Sequence, residues 1–110
     1  MKEKFDIDSL TRIIDKRIKE KSSLSYTYRL FRNPDLLRKK LFEETKELVN
    51  IKNKKQAIWE AADLLYFMLV FLAKRKVNIQ DVERMLERRN KEKRLLNDKK
   101  LSLDIKRRLR

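Results

Sequence analysis

A chain of 110 residues with 41% hydrophobic content suits one domain with a limited core. It has no cysteine and no histidine, which excludes disulfides, thiolate or imidazole metal sites and any histidine-assisted nucleophile. The formal net charge of +14 favours a polyanionic partner: nucleic acid, an anionic membrane surface or a phosphate-rich small molecule.

Glycine is absent, proline occurs once, and Leu, Lys, Glu and Arg are abundant, so an all-helical chain is expected. Met1–Asp8 is charged and lacks the apolar run of a secretion signal. With no cysteine to oxidise, a cytoplasmic location is expected. The first helix is predicted from Ser9 to about Lys21, with Leu10, Ile13, Ile14 and Ile18 on one apolar stripe. Ser22 to Thr27 is polar and reads as a loop or a slow entry into the next element. Asn33-Pro34-Asp35 is a helix start: a cap, a proline at the first helical position, and an acid at the positive end of the dipole.

The second long helix is predicted from Pro34 to about Asn50, with Leu37, Leu41 and Leu48 inward and Glu44 on the same stripe. The next, from about Lys55 to Arg75, is apolar nearly all round between Ala57 and Ala73 and is expected to be the most buried, with Trp59, Tyr66, Phe67 and Phe71 in the core. Its longest apolar run, Leu64–Ala73, is too short to span a bilayer, so no membrane partner is expected. Asn78 caps a last helix with Ile79, Val82, Met85 and Leu86 inward. Beyond Arg89 the pattern decays into a basic tail; residues 88–110 supply more than half of the excess positive charge.

The carboxylates are the informative feature. Glu43, Glu44 and Glu47 share one side of a helix, and Glu60 and Asp63 are three apart on the next. A short link favours an antiparallel pair, which lets the two sets face each other. Clustered carboxylates in a partly buried groove repel unless they take up protons, pair with Lys or Arg, or bind divalent cations. Oxygen-only ligation suits Mg²⁺ or Mn²⁺. A metal held so can bridge substrate phosphates and activate water, work that needs no histidine.

"SYTYRLF" (25–31), "KLFEETKEL" (40–48), "WEAADLLYFMLVFLA" (59–73) and "VNIQDVERMLERR" (77–89), in this order, resemble the phosphoribosyl-ATP pyrophosphohydrolases of histidine biosynthesis, in the all-α, MazG-like nucleotide pyrophosphohydrolase superfamily. The acidic core is shared across the superfamily; the Ser-Tyr-Thr segment is more particular to this branch. The expected organisation is a domain over 1–89, with the basic C-terminal tail at 90–110 having no counterpart in the compact bacterial forms. The resemblance covers roughly residues 8–89 and implies a bundle of four to five helices and a dimer. It implies Mg²⁺-dependent cleavage of the α–β phosphoanhydride of phosphoribosyl-ATP to phosphoribosyl-AMP and pyrophosphate. Glu43, Glu44, Glu47, Glu60 and Asp63 match the family's metal ligands, the first three also as catalytic residues. Ser25, Tyr26, Thr27, Lys40 and Arg89 match substrate-side positions. Three positions depart from the family pattern: Phe67 where a histidine is frequent, Thr45 for alanine, and Lys76 where glycine is common. Two rival functions are a house-cleaning nucleoside triphosphate pyrophosphohydrolase with the same metal site, and a basic helical nucleic-acid-binding module. Even in an enzyme, the tail is expected to allow nonspecific nucleic-acid contact.

Overall fold

A computed structural model describes residues 4–92. It contains α1 (Ile7–Glu20), α2 (Tyr26–Arg32), α3 (Pro34–Val49), α4 (Lys54–Lys74) and α5 (Ile79–Lys91), and no strand among the described residues. The all-α expectation is met. The chain divides between Val77 and Asn78 into two units. From residue 93 onward the basic tail lies outside the described residues.

In the first unit, local capping explains most helix ends. The Asp6 carboxylate accepts the Ser9 N–H at 2.9 Å and starts α1, which stops at Lys21 with a left-handed φ of 52°. Asn33 accepts the Leu36 N–H at 3.1 Å and starts α3, with Pro34 at its first turn. Asn53 does the same for α4 through the Gln56 N–H at 2.8 Å.

Two sequence expectations change. The polar stretch Ser22 to Thr27 was read as a loop or a slow entry into the next element, and a helix, α2, begins within it at Tyr26. Ser25 is the reason: its hydroxyl accepts the Tyr28 N–H at 3.2 Å, so a residue that competes with a helix interior serves as its cap. The second change concerns α4, which is not buried all round. Its buried residues are Phe67, Leu69 and Val70, all past its midpoint. Trp59, expected in the core, is 67% exposed and Ile58 is 63% exposed. The cause is coverage: α2 meets α4 at Tyr66 and Phe67, and the earlier turns are open on the side away from α3.

The core of this unit draws Ile14 from α1, Leu30 from α2, Leu37 from α3 and the three α4 residues. The α3–α4 pair makes the most extensive helix–helix contact, as the short link 50–53 favours. α4 ends in a Schellman turn: the Val77 N–H bonds the Leu72 carbonyl at 2.9 Å and the Lys76 N–H bonds that of Ala73 at 3.0 Å. This holds Lys76 at a φ of 60°, a left-handed conformation that glycine adopts more readily.

By length and composition alone, α4 could cross a membrane, with a mean hydropathy of 1.4 over its best window. Glu60 and Asp63 lie on that helix and face another carboxylate, which is costly in lipid.

The second unit contributes α5. Its first turn is held by the Asn78 N–H donating to the Asp81 carboxylate at 3.2 Å. Ile79 is buried, but Met85 and Leu86, expected inward, are each 45% exposed. Within its own unit α5 has no second described helix to pack on.

Candidate metal centre

Glu44 sits on the inward stripe of α3, in register with Leu37, Leu41 and Leu48. Helical spacing therefore carries a carboxylate towards α4, where Glu60 and Asp63 occupy one face. One carboxylate oxygen from each of Glu44, Glu60 and Asp63 lies within 4.8 Å of the others. All three side chains are half-buried. Glu44 Oε2 is out of contact with solvent and has no hydrogen-bond partner.

The electrostatics follow from this crowding. Burial, a hydrogen bond to Glu60, and the charges of Asp63, Glu60 and Glu47 raise the Glu44 pKa to about 7. A proton on Glu44 relieves this crowding, and a divalent cation would do the same. An orphaned buried oxygen facing two further carboxylates fits a hard divalent cation.

The five sequence candidates thus divide. Glu44, Glu60 and Asp63 are brought together. Glu47 is exposed, one turn on, and near enough for its charge to act on Glu44. Glu43 turns to lysines, pairing with Lys40 Nζ at 3.5 Å and Lys39 Nζ at 4.0 Å. Lys40 therefore balances Glu43 rather than Glu44.

The Ser-Tyr-Thr segment is tied to the fold. Ser25 caps α2. Thr27 is buried, and its hydroxyl is hydrogen-bonded to the Tyr66 hydroxyl at 2.5 Å. Tyr26 stacks on Tyr66, with centroids 6.5 Å apart and an interplanar angle of 9°, and the Arg29 guanidinium lies 5.9 Å from the Tyr26 ring. Burial pushes the Tyr66 hydroxyl pKa upward, against the hydrogen bond from Thr27. Tyr66 was not among the sequence candidates. Its signal was its place one turn after Asp63, which put it on the carboxylate face of α4. Arg89 is half-buried on α5, in the second unit.

The family model for phosphoribosyl-ATP pyrophosphohydrolase matches residues 7–90. A histidine biosynthesis trifunctional protein of Saccharomyces bayanus is 41% identical over 83 residues, which is 76% of this chain and 10% of that protein. The histidine biosynthesis bifunctional protein HisIE of Thermotoga maritima is 37% identical over 86 residues, 74% of this chain and 44% of that protein. A histidine biosynthesis bifunctional protein of Schizosaccharomyces pombe is 44% identical over 63 residues, 57% of this chain and 15% of that protein. The chain thus spans about a tenth of the length of the budding-yeast relative and under half of the bacterial one. No solved structure matches it at comparable stringency. With its acidic hairpin in place and the family match running from the start of α1 almost to the end of α5, the chain belongs to the phosphoribosyl-ATP pyrophosphohydrolase family.

Proposed function

We propose that this chain hydrolyses the α–β phosphoanhydride of phosphoribosyl-ATP, releasing phosphoribosyl-AMP and pyrophosphate, as a step of histidine biosynthesis. One observation carries the reading: Glu44 holds a buried, unpartnered oxygen against Glu60 and Asp63, on a chain of this family. Glu44, Glu60 and Asp63 would hold Mg²⁺, or Mn²⁺ in its place, with Glu43 and Glu47 completing the set from the open side. When bound, the ion supplies charge neutralisation for the phosphates and a lowered pKa for water.

In the hydrolysis, a water oxygen bonds to the α-phosphorus and the bond from that phosphorus to the bridging oxygen breaks. Pyrophosphate leaves with the electron pair. A carboxylate among Glu43, Glu44 and Glu47 takes the water's proton. Lys40 offers a cation beside the site once its pairing with Glu43 is exchanged for a phosphate. Ser25 and Thr27 act by placing α2, since their hydroxyls are engaged within the fold; Tyr26 is the exposed member of that segment. Arg89 is assigned to the substrate's phosphates by its match to the family position.

A homodimer is part of the proposal. Ile58, Ala61, Ala62, Leu65 and Met68 form one uncharged stripe on α4, largely open in the single chain. A second copy offers the same uncharged stripe, whereas other faces of so basic a chain repel each other. A cytoplasmic location suits the absence of cysteine. The carboxylates on α4 argue against a membrane role. Nonspecific nucleic-acid contact is assigned to the basic tail.

The test is pyrophosphate release from phosphoribosyl-ATP with and without Mg²⁺, beside a panel of nucleoside triphosphates and a Glu44→Gln control. Metal-dependent turnover of phosphoribosyl-ATP alone, lost in the control, supports the reading. Turnover of the triphosphates instead would retain the metal site and transfer the chain to house-cleaning chemistry. No turnover by a folded protein would overturn both.

A further inference from the structure

The aromatic side chains around the carboxylates are not equivalent. Asp63 has Trp59 one turn before it and Tyr66 one turn after it, so the three share a face of α4. Tyr66 has no free role: it is stacked on Tyr26, edge-on to Phe67 at 5.4 Å, and hydrogen-bonded through its hydroxyl to Thr27. Trp59 makes no ring contact among the described residues and is 67% exposed. It flanks the uncharged stripe assigned to the dimer: it points about 100° from Ile58, with Ala62 of that stripe between them.

An indole left open beside a phosphate-handling carboxylate set has a simple use. We propose that Trp59 is the stacking platform for the purine base of the substrate, and so a specificity-determining residue. This rests on the phosphoribosyl-ATP reading and adds to it the part of the site that distinguishes a nucleotide from a bare polyphosphate. Along the helix axis Trp59 is about 6 Å from Asp63. That separation is on the scale of the distance from the α-phosphate to the base within one nucleotide. The π-face accepts any base, so Trp59 adds affinity for purine nucleotides, while Tyr66 and Tyr26 close the far side of Asp63 as a fixed wall. The cation at that end is Arg29, held over Tyr26.

Trp59 is the chain's single tryptophan, so its fluorescence reports this one position. Full-length protein carrying Glu44→Gln, which blocks turnover, is titrated in Mg²⁺ with phosphoribosyl-AMP and, separately, with ribose 5-phosphate and pyrophosphate. The expected result is saturable quenching by phosphoribosyl-AMP and none by the two ligands that lack a base. Kinetics give a second readout: Trp59→Leu raises KM about tenfold with kcat within about twofold, and Trp59→Phe restores most of the loss. Far-UV circular dichroism confirms that the exposed substitutions leave the fold intact. Equal quenching by base-free ligands, or an unchanged KM in folded Trp59→Leu, would overturn the proposal. So would a blue-shifted emission without ligand that moves red on dilution, because a second copy would then cover the indole. Base-dependent quenching in a protein that turns over no phosphoribosyl-ATP would retain Trp59 and remove the functional reading beneath it.

Discussion

The two halves of α4 differ in composition and in fate: 54–63 mixes apolar residues with charges, while 64–73 is apolar throughout. Past its midpoint, Phe67, Leu69 and Val70 are sealed by neighbouring helices and supply half of the unit's buried hydrophobic residues. From Ile58 to Asp63 it carries two carboxylates inward to meet Glu44 and leaves Ile58 and Trp59 in the open. One half stabilises the fold. The other half is loaded with unfavourable features, a crowded acidic set and bare apolar surface, which the proposed ion and second copy would relieve.

The sharpest way to break that contrast is at Glu44. Glu44→Gln should reduce phosphoribosyl-ATP turnover by at least about a hundredfold, at a cost to the metal-free fold near zero, because it removes a charge that burial disfavours. Activity assays and chemical denaturation without metal check the two halves of that statement. The matching change in the sealed half is Leu69→Ala. It should cost about 3 kcal/mol in denaturation, since Leu69 is buried.

Titration offers a second contrast. The Glu44 pKa in the folded chain is raised from 4.5 to about 7, so between those values the folded state binds more protons than the unfolded one. Metal-free stability from this group is therefore greatest at acid pH and is lost as pH rises through about 7, by at most about 3 kcal/mol. Mg²⁺ should reverse the trend, raising Tm more at pH 8 than at pH 6, because binding must displace the proton. Thermal melts at both pH values, with and without Mg²⁺, would show it; equal shifts would place the cation elsewhere.

Smaller effects sharpen the boundary. Lys76→Gly should stabilise the chain by about 1 kcal/mol, because the residue is held at a φ of 60° by the turn that ends α4. Ile58→Ala should change unfolding of dilute, monomeric protein by no more than about 0.5 kcal/mol. The same substitution should weaken self-association, which sedimentation would measure.

Much of this was legible along the chain. Asn33-Pro34 and Asn78 announced helix starts because capping is a contact between near neighbours in sequence. Glu44 could be placed on an apolar stripe because helical periodicity is local too. Ser25 shows where locality misleads: the same hydroxyl that reads as a loop former is the cap of α2, and the difference depends on the burial of Leu30 and Thr27 behind it.

What the sequence determined by itself was the helical class, the family, and the five acids from which a metal site could be drawn. Only the tertiary structure decided that Glu44, Glu60 and Asp63 meet. It alone decided that Trp59 stays outside a core its composition suited. Both outcomes depend on how far one helix is covered by others, and coverage is set by packing between segments distant in sequence, which no local pattern encodes.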